Sequence, residues 1–345
     1  MSGRLDALRR SLEERFLVLN RTNVRYLTGF DSSNAALLVG DGDVTLFADF
    51  RYASAGRAVE GVEFVETRRS LLVDLAERLS GRIGFEPETL TYAGYETLTG
   101  GGLELVPRSG LVEGLRAIKD EGEVEAMRRA SEITTAAFAA LAEEPFIGRS
   151  ERDLAWRLET LLHELGGERL AFEIGLGTGP NGALPHAHPT DRVVAEGEFV
   201  VVDAGTVVDG YCSDCTRTFA AGSPARPLVH AYSVCLEAQL AGLDAVRPGV
   251  GGVDADDAAR SVIEAAGFGG NFGHGLGHGV GLLVHEAPRL STESNDTLAA
   301  GNVFSVEPGI YVEGAGGIRI EDLVVLRDDG AEVLTGFTKE LVTVR

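Results

Sequence analysis

The feature that most constrains this chain is an internal repeat. Residues 196–219 read EGEFVVVDAGTVVDGYCSDCTRTF and residues 300–325 read AGNVFSVEPGIYVEGAGGIRIEDLVV. Aligning Gly197 with Gly301 brings Asp203 onto Glu307 and Gly205 onto Gly309 at one constant offset, and places Asp214 near Glu321. Each copy ends an apolar run on an acid with a glycine two residues later. Burying a carboxylate there is costly unless it is paired or holds a cation, and the chain does so twice. Between the copies lies a glycine-rich, histidine-bearing stretch, residues 271–290, so four carboxylates and an imidazole are available to converge.

At 345 residues the chain is long enough for two domains, each with its own core. Its 31 Lys and Arg against 53 Asp and Glu give a net charge of −22, which argues against a nucleic-acid backbone or an anionic membrane surface as partner. The opening MSGRLDALRRSLEERF has no apolar core of signal-peptide type, and no apolar run approaches the roughly 20 residues of a membrane helix. The expected location is cytoplasmic. Cys212, Cys215 and Cys235 are too few for a disulfide framework. The first two flank Asp214 in an alternating run and are read as small packing residues rather than a redox or zinc pair.

Along the chain, a short amphipathic helix is expected over 3–15, followed by alternating strand and helix patterns that end near Pro107. This alternation predicts an α/β N-terminal domain, residues 1–112. The remainder, 113–345, reads as two helices followed by strands, done twice, with strands expected over LAFEIGLG and EFVVVDAG in the first half. The expectation is an α+β C-terminal domain with an internal pseudo-twofold repeat. In it Asp203 and Glu307 sit at strand ends, Asp214 and Glu321 inside alternating strands, and the site between the halves.

Two motifs are rejected on local chemistry. GTGPNG, residues 177–182, has dinucleotide-fingerprint spacing, but Pro185 and Pro189 forbid the helix that the fingerprint needs, leaving a tight loop. HEAPR, residues 285–289, begins like a helical zinc motif, yet Arg289 stands where a second His belongs and Pro288 breaks a helix. What survives is Asp203, Asp214, His278, Glu307 and Glu321. Hard divalent cations prefer carboxylate oxygen and imidazole suits transition metals, so this set describes two adjacent ions rather than one closed zinc site. Without cations, four clustered carboxylates would repel and protonate.

The stretches DAG…YCSDCTRTF, GHGLGHGVGLLVHEAPRL, FSVEPGIYV and GIRIEDLVV resemble those of the proline-specific metallopeptidases of the pita-bread fold, the Xaa-Pro dipeptidases and Xaa-Pro aminopeptidases. TNVRYLTGF resembles the creatinase-type N-terminal domain joined to that fold. The resemblance implies hydrolysis of the peptide bond before proline, in short proline-containing peptides, by a homodimer with two divalent ions per chain, manganese or cobalt ahead of zinc. It implies that Asp203 and Asp214 bind one ion, that His278 and Glu307 bind the other, and that Asp214 and Glu321 bridge them. It implies Glu307 as the proton acceptor and His285 and His186 as contacts to substrate or tetrahedral intermediate, with His188 the alternative to His186. Arg289 matches an arginine that holds the free carboxylate of a dipeptide, and Arg319, on the strand face of Glu321, orients a ligand or neutralises one. The rivals are a methionine aminopeptidase, which shares the five-ligand pattern, and a non-catalytic peptide- or protein-binding member of the fold.

Overall fold

The computed structural model describes residues 2–345. It divides into one unit ending at Arg116 and a second spanning Ala117–Arg345. The division falls inside the helix Leu111–Ala117, which also contains the 112/113 boundary expected from sequence.

The first unit is a mixed sheet of β1 (Phe16–Val18), β2 (Ala35–Val39), β3 (Val44–Asp49), β4 (Glu63–Thr67), β5 (Gly81–Phe85) and β6 (Leu103–Pro107), in the order β4-β3-β2-β1-β5-β6. Helices Ala53–Arg57 and Tyr92–Gly100 make the crossovers of the parallel pairs β3/β4 and β5/β6, and helix Leu71–Arg78 carries the chain from one side of the sheet to the other. Leu17, Leu75, Ile83 and Leu98 form its core. The helix expected over 3–15 covers only Ser2–Arg9. Glu14 is drawn out of it by Arg108, whose Nε donates to the carboxylate at 2.9 Å, and Arg108 also holds Glu13 at 2.8 Å. Tertiary ion pairing overrides local helix periodicity there.

In the second unit the duplication is explicit. The first half packs helices Glu121–Ala142 and Glu151–Glu164 on a sheet of β7 (Gly175–Thr178), β8 (Phe199–Ala204), β11 (Cys215–Ala221) and β19 (Thr343–Val344). The strand expected over LAFEIGLG is confined to β7, because residues before it lie across the hairpin described next, with Ala171 N–H donating to Gly205 O. The second half packs helices Arg226–Ala245 and Gly252–Ala265 on β12 (Gly277–Gly279), β13 (Glu286–Leu290), β14 (Val303–Val306), β17 (Asp322–Arg327) and β18 (Gly330–Val333). Each half has its own core, one around Phe138, Leu158, Val202 and Phe219, the other around Cys235, Ile263, Phe304 and Val324.

Within each half, two antiparallel strands separate to admit a small hairpin. Between β8 and β11 lies the hairpin β9 (Val207–Val208) and β10 (Tyr211–Cys212); between β14 and β17 lies β15 (Gly309–Val312) and β16 (Gly316–Arg319). Gly197 and Gly301, the glycines that open the two copies, share a φ of +87°, a left-handed turn that glycine adopts without a Cβ penalty.

One buried ion pair welds this arrangement. Arg217 on β11 is 2% exposed and donates from Nη2 to Asp322 Oδ1 on β17 at 2.8 Å and to Phe337 O at 2.7 Å. Its Nε donates to Thr338 O, and its Nη1 to the carbonyls of Thr216 and Glu321. Asp322 is completed by Thr335, Gln239 and Lys339. Removing one member of a buried pair strands the other. Arg217→Ala is therefore predicted to cost about 3–5 kcal/mol of stability, read from urea unfolding of the full chain; a loss below about 1 kcal/mol would show that the pair is not a weld.

Candidate metal centre

The four repeat acids lie where the paired strands part around the hairpins. Asp203 is the fifth residue of β8 and Glu307 follows the last residue of β14. Asp214 stands between β10 and β11, and Glu321 between β16 and β17. The expectation that the latter two lie inside strands is corrected: each occupies the break where the chain leaves the hairpin and rejoins its sheet, which frees the side chain from strict alternation. Close backbone approach brings the pieces together. A Cβ on Gly277 would stand 1.9 Å from Ser305 O, so only glycine lets the strand bearing His278 lie against the strand leading to Glu307.

The five side chains converge. Ligand atoms of Asp203, Asp214 and Glu321 lie within 4.8 Å of one another. His278 Nε2 is 3.8 Å from Asp214 Oδ2 and 3.2 Å from Glu307 Oε1. Its Nδ1 lies 3.2 Å from Gly279 O. A carbonyl only accepts, so Nδ1 carries a proton and Nε2 is the nitrogen that faces the acids.

Surrounding donors hold some carboxylate oxygens and leave others. Thr216 Oγ1 donates to Glu321 Oε2 at 2.7 Å and accepts from Arg319 Nε at 3.0 Å, which fixes the direction of its hydroxyl proton. Ser305 Oγ donates to Glu307 Oε1 at 3.0 Å. Arg319 Nη2 donates to Asp203 Oδ2 at 2.8 Å, whereas Asp203 Oδ1 is buried with no hydrogen-bond partner. A buried carboxylate oxygen without a donor, beside two further buried acids and a lone-pair nitrogen, fits a divalent cation, whose preferred donors are these.

Charge states reflect the crowding. Burial pushes Asp214 and Glu321 well above the carboxylate range, reinforced for Asp214 by Glu321 and for Glu321 by Glu307; burial raises Asp203 as well, against Arg319. For His278, burial is outweighed by the Glu307 carboxylate, which lifts it to about 9. For Glu307 burial is likewise outweighed by His278, which holds it down at about 2.

The other expected residues surround this cluster. The His285 ring centroid is 4.3 Å from that of His278, and its edge is exposed. His186 is exposed on the loop after β7, near enough that its charge bears on His274 and His285. His188 points elsewhere, 79% exposed and 3.8 Å from Glu173. The Arg289 side chain is exposed and makes no hydrogen bond or ion pair among the described residues. Arg319 is buried with four N–H groups committed, to Thr216, Pro185 O, Tyr311 OH and Asp203.

Thr216 and Tyr311 are site residues that sequence reasoning missed. Tyr311 OH accepts from Arg319 Nη1 at 2.8 Å and lies 3.0 Å from His274 Nε2, while His274 Nδ1 meets Gly275 O at 2.8 Å. His274 thus anchors Arg319 through Tyr311. The available signal was position: Thr216 lies two residues from Asp214, and Tyr311 on the hairpin before Glu321. The three thiols are free and buried, as expected of packing residues. Among the described residues, no helix is long and apolar enough to cross a membrane.

The model of metallopeptidase family M24 matches residues 125–328, and that of the creatinase/prolidase N-terminal domain matches residues 4–118. The chain is 33% identical to an Xaa-Pro dipeptidase of Pyrococcus furiosus, over 99% of this chain and 100% of that one. Among solved structures, an Xaa-Pro dipeptidase from Bacillus anthracis superposes with a TM-score of 0.95 at 35% identity, covering 99% of both chains. An X-Pro aminopeptidase from Thermotoga maritima does so at 0.89 and 33%, covering 98% of this chain and 99% of that one.

The charge states carry a prediction. His278, lifted to about 9, holds a proton near pH 7 in the metal-free chain and must release it to bind a cation, and burial shifts Asp214 and Glu321 toward their protonated forms as well. Titrating metal-stripped protein with Mn²⁺ at pH 7 in buffers of different ionisation enthalpy is predicted to show release of at least about one proton, with affinity rising as pH approaches about 9. Binding without proton release, or tighter at lower pH, would contradict these assignments.

Proposed function

Because the chain belongs to metallopeptidase family M24, we propose that it is a dinuclear-metal peptidase that hydrolyses the peptide bond before proline. The observation that carries the reading is the meeting of four acids and His278 at one buried point. Asp203 and Asp214 would hold one divalent ion and His278 and Glu307 the other, with Asp214 and Glu321 shared. Such ions supply Lewis acidity, which lowers the pKa of a water and polarises the scissile carbonyl.

The chain's own residues do the rest. Glu307 accepts the proton of the attacking water and returns it to the proline nitrogen as the C–N bond breaks. Ser305 and His278 fix its orientation. His285, whose pKa desolvation lowers, has in its neutral form one N–H to donate to charge developing on the carbonyl oxygen. His186 faces the substrate from the loop opposite. His188, turned toward Glu173, serves at the outer edge of that wall. Arg289, whose planar fork is uncommitted, takes the free carboxylate of a dipeptide. Arg319 shapes the site from behind by holding both Asp203 and Pro185 O, next to His186. Since proline lacks the N–H that general peptidases read, its bond requires such a dedicated site.

Arg289 supports dipeptidase activity ahead of aminopeptidase activity. The sequence resemblance implies a homodimer, and the cytoplasm remains the proposed location; mixed oxygen and imidazole donors permit manganese, cobalt or zinc, and the resemblance favours manganese or cobalt.

The test is hydrolysis by the Mn²⁺-loaded chain of an Xaa-Pro dipeptide, an Xaa-Pro-Xaa tripeptide and a Met-Ala peptide. Cleavage of the proline peptides alone is expected; cleavage of Met-Ala alone would favour a methionine aminopeptidase, and cleavage of none would leave a binding protein. Glu307→Gln is predicted to lower kcat about 10²–10⁴-fold. Arg289→Gln is predicted to raise the dipeptide KM about 10- to 100-fold while leaving a tripeptide within about twofold; equal effects on both would remove Arg289 from carboxylate recognition.

A further inference from the structure

We infer that Glu151, outside the acid cluster, is a positioning residue that sets the substrate wall carrying His186; this rests on the peptidase reading given above. Glu151 is the first residue of the helix Glu151–Glu164, a place where an acid ordinarily faces water and favours the helix dipole. Here it is wholly buried, at 0% exposure. A buried carboxylate is tolerated only with hydrogen bonds to its oxygens, and all four donors come from one segment. Thr178 N–H donates to Oε1 at 2.8 Å. Asn181 Nδ2, Thr190 N–H and Thr190 Oγ1 donate to Oε2 at 2.8, 2.9 and 2.6 Å.

These donors bracket residues 178–190, the loop that bears His186. Asn181 Nδ2 also reaches His188 O at 3.3 Å, so the clamp extends past His186 on its C-terminal side. The middle of the loop is fixed from the opposite direction. Arg319 Nη1 donates to Pro185 O at 3.0 Å, and a Cβ on Gly317 would stand 2.0 Å from Gly182 O, so β16 presses directly on the loop. Because Arg319 also holds Asp203, the loop is suspended between the acid cluster and the Glu151 carboxyl group. Glu151 makes no hydrogen bond to the four cluster acids or to the His278 imidazole, and its influence on substrate runs through the loop. It is thus a determinant of how tightly the peptide is held rather than of whether cations bind.

The test uses the full chain loaded with Mn²⁺. Glu151→Gln keeps the shape but turns an acceptor oxygen into an N–H donor facing other donors; Thr190→Val removes one donor and keeps the carboxylate. Glu151→Gln is expected to raise the KM for an Xaa-Pro dipeptide on the order of tenfold, with bound metal unchanged, and Thr190→Val to shift it in the same direction by less. In a His186→Ala background the Glu151→Gln effect should shrink to within about twofold, since the two act as one unit. An undiminished effect in that background, a fall in bound metal, or a lowered Tm with unchanged KM would overturn the inference. Amide hydrogen exchange at Thr178 and Thr190 reads the clamp without substrate: faster exchange in Glu151→Gln, on the order of tenfold, is expected, and unchanged exchange overturns the clamp. Should the wild-type chain cleave no proline peptide, the peptidase reading fails alone, and the exchange measurement still decides the role of Glu151.

Discussion

Mutual repulsion among buried carboxylates is the constraint to which the rest of the second unit answers. Asp203, Asp214, Glu307 and Glu321 would each cost several kcal/mol as isolated buried anions. Their immediate surroundings supply one guanidinium, from Arg319, and one imidazole, from His278. That is two positive charges against four negative ones, and burial answers by pushing protons onto Asp214 and Glu321. A divalent cation removes the conflict by replacing protons with charge, so the same crowding that destabilises the metal-free cluster makes it a strong cation trap.

Holding such a cluster in register takes a frame that does not relax away from it. The two halves provide it by symmetry, each splitting a strand pair around a small hairpin so that one acid enters and one leaves the split. The frame is locked on the far side of the acids by Arg217 and Asp322, which neighbour Thr216 and Glu321 in sequence. The near side is set by polar residues with a single function each: Thr216 turns its hydroxyl proton to Glu321, Ser305 to Glu307, and Tyr311 links His274 to Arg319. Fixing which carboxylate oxygen is occupied also fixes which remains for a cation.

Much of this was legible in the sequence because the repeat is written in residue types that resist burial. An acid at the end of VVVD and of FSVE advertises itself, and the paired glycines Gly197 and Gly301 mark equivalent turns, with the same backbone angle in the structure. Strand alternation misplaced Asp214 and Glu321 because a two-residue break between hairpin and sheet leaves no trace in hydropathy. The helix expected to reach residue 15 stopped at Arg9 for a reason nearly 100 residues away, the Glu14 pairing with Arg108. Glu151 looked like an ordinary acid in a first helical turn. Only the folded loop reveals that its carboxylate faces inward to Thr178, Asn181 and Thr190. Interactions set by the chain's own periodicity were readable; those between polar side chains distant in sequence were not.

The proposed chemistry rests on two cations sharing one pair of carboxylates, Asp214 and Glu321. Equilibrium dialysis of the metal-stripped chain and of two variants against Mn²⁺, with elemental analysis of bound metal, tests it directly. Two ions per wild-type chain are expected, with loss of about one in His278→Ala and of both in Asp214→Asn, since that carboxylate would belong to both sites. One ion or none on the wild-type chain, or two retained by Asp214→Asn, would contradict it.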